Sequence, residues 1–288
     1  MSYLKKPAWL KVKLPSHSAY FQVAGLLKRQ GLNTICQSAR CPNIGECWEK
    51  RTATFLILGN ICTRNCGFCA VEKGQPEPLN ENEPAAVLEA VKDMQLRYVV
   101  ITSVTRDDLA DGGAGLFART IRLIKENLPH TRVEVLIPDF RGEEKPLLQV
   151  LEAGPDVLNH NLETTLNLYP LINRPTANYH RSLLLLKRAS QNGVLTKTGL
   201  MVGLGESRED LYRTFLDLRE SNCQLLTIGQ YLQPTARQVP TVRYYTPEEF
   251  EELRQLGLSL GFKEIISGPL VRSSYSAEKI FATVRSAH

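Results

Sequence analysis

The sequence predicts an α/β protein built on parallel strands, and three observations carry that expectation. After position 51, short apolar runs alternate with helical patterns six times in succession. The runs are apolar throughout rather than at every second residue, as strands buried on both faces are. At 288 residues, 43% of them apolar, the chain is long enough to bury roughly 75% of the surface its unfolded form exposes. Strands in such a succession run parallel through right-handed crossovers. An open doubly wound sheet and a barrel-like sheet satisfy the pattern equally.

Each element has its own signal. TFLILG (54–59) reads as the first buried strand and leads directly into a cysteine loop. Residues 84–96 form a helix with Pro84 in the first turn, where its missing amide hydrogen has no intrahelical partner to lose, and YVVITS (98–103) is the second strand. A helix over 114–127, a strand over 133–138 and a helix over 143–152 closed by Gly154 follow. The fourth strand spans 156–161 and its helix 178–191; the fifth spans 197–202 and its helix 208–221; the sixth spans 225–231. An amphipathic helix over 247–258, a short run over 263–267 and a polar tail complete the chain. In either parallel architecture the ligand site lies at the carboxyl ends of the strands. That rule selects 62–69, TRDDLADGG (105–113), NHNLE (159–163), GLGE (203–206) and QYLQP (230–234).

Charge and cysteines are both uneven. Of the net charge of +5, residues 1–51 carry +7 and the remainder −2; a solvated surface and a docking face account for this equally well. Six of the seven cysteines fall between positions 36 and 69, with Cys223 apart. The N-terminus has basic residues but no apolar run fit for a signal peptide, and no stretch approaches the roughly 18 apolar residues of a membrane span. A cytoplasmic protein is therefore expected, with no membrane or nucleic acid as partner. Clustered thiols in that compartment bind metal or do redox chemistry.

Cys62, Cys66 and Cys69 form C-x3-C-x2-C immediately after a strand. Three thiolates on so short a loop hold three corners of a cubane iron–sulfur cluster and leave the fourth iron open. An open iron accepts a chelate such as the amino and carboxylate groups of S-adenosylmethionine. A zinc site would want four ligands in a closed set, and no further His or Cys completes one on this loop. The motif resembles that of radical S-adenosylmethionine enzymes, with Phe68 shielding the cluster and packing near the adenine. Upstream, Cys36, Cys41 and Cys47 form C-x4-C-x5-C within the basic segment. A structural zinc site is the alternative there; beside a cluster loop, a second cluster is the better reading, with its fourth ligand supplied from elsewhere.

The two triplets in this order, with CPNIGECW and GNICTRNCGFCAV around them, resemble the lipoyl synthase family. The likeness continues through TRDDLADGGA (105–114), NHNLET (159–164), KTGLMVGLGE (197–206), TIGQYLQP (227–234) and RSSYSA (272–277), nearly the whole chain. NHNLET and GLGE also resemble biotin synthase, and the upstream triplet and RSSY separate the two. The resemblance implies a partial (βα)6 TIM-type barrel over 52–266, with an N-terminal extension (1–51) carrying the auxiliary cluster cysteines and a C-terminal tail (267–288) carrying RSSY. It implies two [4Fe-4S] clusters and S-adenosyl-L-methionine. Cys62, Cys66 and Cys69 would hold the cluster that cleaves the cofactor. Cys36, Cys41, Cys47 and a serine, Ser274 or the adjacent Ser273, would hold the auxiliary cluster that donates sulfur. An alkoxide is a harder, more basic donor than a thiolate, so its bond to iron breaks more readily on protonation. A polar tail capping the next helix is the plain alternative for these serines.

The implied reaction inserts sulfur at C6 and C8 of an octanoyl-lysine on a lipoyl carrier domain, with ferredoxin or flavodoxin as electron donor and a monomeric enzyme. No side chain is expected as acid or base. Asn161 and Glu163, two apart at a strand end, would bind ribose hydroxyls. Gly203 and Gly205 would allow close backbone approach, Glu206 would cap the next helix or meet the cofactor, and Arg174 would bind its carboxylate. Asp107, Asp108 and Asp111 have a metal-like spacing but suit a solvated turn better. His160 and Cys223 are expected in the core. RQVPTVR (237–243) departs from the family pattern, which favours His and Pro-Val there.

Overall fold

The computed structural model describes residues 4–12, 15 and 18–286, without the side chains of Arg285 and Ser286; Lys13 of the basic segment lies outside the described residues. The chain divides into two compact units. One comprises residues 12–65 and 70–157, the other 66–69 and 158 onward together with the residues up to 11.

In the first unit the cysteine-bearing extension folds as helix α1 (Ser18–Arg29), strand β1 (Asn33–Thr34) and two short helices, α2 (Ile35–Ser38) and α3 (Ile44–Glu49). Its sheet runs β1-β2-β5-β6, with β2 (Thr54–Ile57), β5 (Tyr98–Ser103) and β6 (Arg132–Leu136) parallel and β1 antiparallel to β2 through Asn33 opposite Leu56. Phe55, Ile57, Val99, Ile101, Val133 and Val135 are wholly buried. Burial on both faces is what the unbroken apolar runs require. Strands β3 (Ile61–Cys62) and β4 (Glu72–Lys73) form a separate parallel pair that brackets the cysteine loop in sequence. The helices α4 (Glu83–Asp93), α5 (Ala114–Asn127) and α6 (Glu144–Glu152) pack in succession.

The second unit begins within β7 (Val157–Asn159) and runs β7-β8-β9-β10, where β8 (Leu195–Val202), β9 (Leu225–Gln230) and β10 (Glu264–Gly268) are parallel. Its helices are α7 (Ala177–Gln191), α8 (Arg208–Glu220), α9 (Pro247–Ser259) and α10 (Ala277–Ser286). Tyr169, Tyr179, Leu186, Val202, Phe215 and Phe250 lie in one apolar core. Helices α8 and α9 open on capping boxes, Ser207 with Asp210 and Thr246 with Glu249, so each start is fixed by two reciprocal side-chain bonds.

The strand at 98–103 and the helix at 114–127 have the bounds the sequence suggests. The short run at 263–267 is a further parallel strand, β10, paired to β9 with Glu264 opposite Leu225. Among the described residues no helix is long and apolar enough to cross a membrane.

Candidate functional site

The upstream triplet is built by the extension's tight turns. Thr34 caps α2, accepting from the Gln37 amide at 3.4 Å, and so sets the helix that carries Cys36. The Cys41 amide donates to the Cys36 carbonyl at 2.9 Å, and the Cys47 carbonyl accepts from both the amide and the hydroxyl of Thr52 at 2.8 and 2.9 Å. Cys36 is buried, Cys41 and Cys47 partly so, and none of the three is in a disulfide. They sit close enough to disfavour one another's ionisation: burial, then the Cys36 and Cys41 thiols, push Cys47 up to about 12. Burial raises Cys36 as well, against the backbone of Thr54 and the indole of Trp48. Three neighbouring thiols that resist ionisation on their own fit the cationic core of an iron–sulfur cluster, which supplies the missing countercharge.

The loop of the downstream triplet is anchored at both ends. In the first unit, the Arg64 amide donates to the Cys62 sulfur at 3.4 Å, and the Arg64 guanidinium bonds Asp107 at 2.7 and 2.8 Å and Asp139 at 2.6 Å. Burial works against the charge of Arg64, but the bonds to Asp107 and Asp139 outweigh it and raise its pKa. The turn before the loop is held by Glu83, which accepts from the Leu58 amide at 2.7 Å, and by Arg106, which donates to the Leu58 carbonyl at 3.2 Å. In the second unit, Gly67 donates to the Ile172 carbonyl at 2.8 Å and accepts from the Val239 amide at 2.9 Å, while the Gln238 side chain donates to the Cys69 carbonyl at 3.2 Å. Phe68 packs on the cluster of Ile172, Leu204 and Tyr231. Among the described residues no three His, Cys, Asp or Glu side chains converge as ligands of one metal ion; in a cubane each thiolate meets a different iron and the sulfurs stay apart.

Asn161, Glu163 and Arg174 come together in the second unit. Glu163 has φ +76°, a region costly for a residue with a β-carbon. Its amide donates to the Gly199 carbonyl at 3.0 Å and its carbonyl accepts from Met201 at 2.7 Å, which holds the strained turn against β8. Burial pushes its carboxyl up, opposed by Arg174 and by a bond from Asn161. Arg174 is buried with its guanidinium 5.2 Å over the Tyr169 ring. The Asn161 amide nitrogen donates to the Ser273 hydroxyl at 3.2 Å, and its buried Oδ1 has no partner. An unsatisfied buried acceptor is costly and fits a ligand hydroxyl. Ser274 is partly buried.

Both oxygens of Glu206 accept from the turn before it, from the Gly203 amide at 2.6 Å and the Leu204 amide at 3.0 Å; Ser207, not Glu206, caps α8. Gly203 and Gly205 have φ +100° and +113°, and a β-carbon on Gly203 would overlap the Gln230 amide and the Arg243 carbonyl. The three aspartates are each engaged: Asp107 by Arg64, Asp108 by Arg106 at 2.8 Å, and Asp111 by the Gly113 and Gly115 amides at the start of α5. His160 bonds the Ser182 hydroxyl at 2.9 Å within the core, and Cys223 is fully buried.

Residues 56–218 match the radical SAM superfamily. Among solved structures, methylornithine synthase (PylB) superposes with a TM-score of 0.51 at 15% identity, over 80% of this chain and 63% of that one. HydG, a maturase of the [FeFe]-hydrogenase, gives 0.56 at 14% identity, over 80% and 62%. These likenesses concern the fold alone. Lipoyl synthase from Rubrobacter xylanophilus is 54% identical over 95% of this chain and 86% of its own length. That from Chlorobaculum tepidum is 53% identical over 95% of each. The chain belongs to the lipoyl synthase family. Its fold is the partial TIM-type barrel class of radical SAM proteins. Lipoyl synthases are recognisable here from the two triplets and the RSSY tail, but Arg64, Asp139 and Gln238 carried no signal of their own. Arg64 and Asp139 are 75 positions apart, and Gln238 and Cys69 are 169 apart.

Proposed function

We propose that this chain inserts sulfur at C6 and C8 of an octanoyl group carried on a lysine of a lipoyl carrier domain. The observation that carries this is the upstream cysteine triplet, Cys36, Cys41 and Cys47, placed on and between the two short helices that follow β1, in a chain 54% identical to a lipoyl synthase. When bound, S-adenosylmethionine and the two clusters supply the electron, the hydrogen-abstracting species and the sulfur. Cys62, Cys66 and Cys69 hold the first cluster, with its fourth iron left to the cofactor. Cys36, Cys41 and Cys47 hold the auxiliary one with Ser274. Asn161 already engages the Ser273 hydroxyl, which supports Ser274 as the ligand. Asn161 and Glu163 bind ribose, the first through its unpartnered Oδ1. Arg174 takes the cofactor carboxylate, and the apolar cluster around Phe68 excludes water beside the adenine. Gly203 and Gly205 let backbone approach the cofactor, with the turn held in shape by Glu206. Residues 1–51, 52–266 and 267–288 act as extension, barrel and tail. The enzyme works as a cytoplasmic monomer with a ferredoxin or flavodoxin as donor.

The test is mass spectrometry of an octanoyl-lysine peptide after incubation with anaerobically reconstituted protein, reductant and S-adenosylmethionine. Two hydrogens replaced by two sulfurs is the expected product; an unchanged peptide despite deoxyadenosine release sinks the reading. Ser274→Ala should release deoxyadenosine at the normal rate yet transfer no sulfur. Full product from that variant removes the serine from the ligand set, and loss of transfer in Ser273→Ala alone moves the role there.

A further inference from the structure

Two residues stand between the first and second cysteines of the downstream loop that are held far more firmly than a loop requires. Thr63 is fixed three times: its amide and its hydroxyl both donate to the Thr105 carbonyl, at 3.1 and 2.9 Å, and its hydroxyl accepts from the Asp107 amide at 3.1 Å. Those bonds are neutral and already tie the loop to the segment after β5. Arg64 adds an ion trio on top of them. Its guanidinium is bidentate to Asp107 and donates also to Asp139. The Asp139 side chain is 0% exposed, and Asp139 accepts from the Arg141 amide at 3.0 Å as well. Asp139 is fully buried while Arg64 and Asp107 are 19% and 31% exposed; desolvating charges even to this extent is expensive, and the trio is a poor way to gain stability. Such an arrangement suits a place where charge itself is wanted.

The place is distinctive. Arg64 reaches the ligand sulfur directly, since its backbone amide donates to Cys62 Sγ at 3.4 Å. The potential of an iron–sulfur cluster follows its net charge, the hydrogen bonds to its sulfurs and the charges around it. Formal charges in a poorly solvated setting act over several ångströms with little screening.

We propose that Arg64, held by Asp107 and Asp139, is a positioning residue for the Cys62 corner, and that the charges of this trio set the reduction potential of the cluster Cys62 would hold. The two carboxylates lower the potential and the guanidinium raises it. This rests on the reading of Cys62, Cys66 and Cys69 as a cluster site. A cluster poised low is what reduction of a sulfonium demands, so the carboxylates supply driving force and the guanidinium limits it.

The experiment is an EPR-monitored redox titration of the full-length reconstituted protein with both clusters present. The cluster in question is the one whose signal changes when S-adenosylmethionine is added; the other serves as internal control. Asp139→Asn and Asp107→Asn should raise its midpoint. Arg64→Gln should lower it, and Arg64→Lys, which keeps the charge but not the fork, should sit near wild type. The expected size is about tenfold in the oxidised-to-reduced ratio at a fixed potential, about 59 mV for one electron. A structural role alone would not make the midpoint move in opposite directions for the acid and base variants. Unchanged midpoints, a common direction for Asp107→Asn and Arg64→Gln, or an equal shift of the control cluster would each overturn the proposal. If Asp139→Asn loses its iron, the partly exposed Asp107 and Arg64 variants decide the matter. A wild-type protein with no cofactor-sensitive cluster would overturn the parent reading instead.

Discussion

Glu206 sits where a glycine-rich turn meets a helix, and such a glutamate has three plausible uses: capping the helix, meeting a ligand or bracing the turn. Its two oxygens take the Gly203 and Leu204 amides, and it is 7% exposed. Each buried amide left without an acceptor costs about 1–3 kcal/mol. Glu206→Ala should therefore lower the unfolding free energy more than Glu206→Gln, which keeps one acceptor oxygen, as denaturant titration of the full chain will show. If Glu206→Gln weakens S-adenosylmethionine binding at unchanged stability, the residue meets the cofactor and the bracing account is incomplete. The sequence suggests the first two uses and not the third. The choice depends on where a carboxylate three residues from Gly203 finds unpaired donors once the chain bends back on itself, with Gly203 at φ +100°. Asn161 and Glu163 read in the sequence as two positions on one face of a strand end, but β7 stops at Asn159 and Glu163 turns at φ +76°, so the turn held against β8, and not strand alternation, brings them together.

At the scale of elements, legibility followed burial. YVVITS and the helix at 114–127 were readable to the residue because their apolar positions have no other use. Helix α1 was not, since only Val23, Leu26 and Leu27 of its residues are buried and its basic end looks like solvated surface. β10 looked like a short run because the burial of its five residues is broken, and its partnership with β9 spans the whole of α9. The segment 66–69 shows what pattern alone leaves out. Its cysteine spacing was plain, yet the bonds that hold it come from Ile172, Gln238 and Val239, more than a hundred positions on. Gly67 is the tight point: a β-carbon there would lie 3.0 Å from a Val239 methyl and 3.4 Å from the Ile172 carbonyl. Gly67→Ala should push the segment off both partners and lower iron retention after reconstitution, while Val239→Ala in the same background, by opening the contact, restores part of it. Normal iron and sulfide content in Gly67→Ala would show that the segment has slack.

The whole chain carries its net positive charge at one end; Lys50 and Arg51 of that segment are engaged locally, by Glu46 and Gln22, but among the described residues its first lysines are not. Lys5, Lys6 and Lys11 are exposed, while the ion pairs of the units are made elsewhere, by Arg64, Arg106, Arg119 and Arg132 among others. Lysines that stabilise nothing are free to attract a partner, and a protein substrate differs from a peptide in having a surface to attract. Rim charges of this sort act on encounter more than on the bound complex, and salt weakens them. Replacing Lys5, Lys6, Lys11 and Lys13 by Gln should therefore raise the KM for an octanoylated carrier domain and leave the KM for a short octanoyl-lysine peptide unchanged. The screening length shrinks from about 10 Å at 0.1 M salt to about 3 Å at 1 M, so the gap between wild type and variant should close across that range. An equal loss on domain and peptide, or a gap that salt does not close, would mean that the lysines act on the folded enzyme and not on the approach of its substrate.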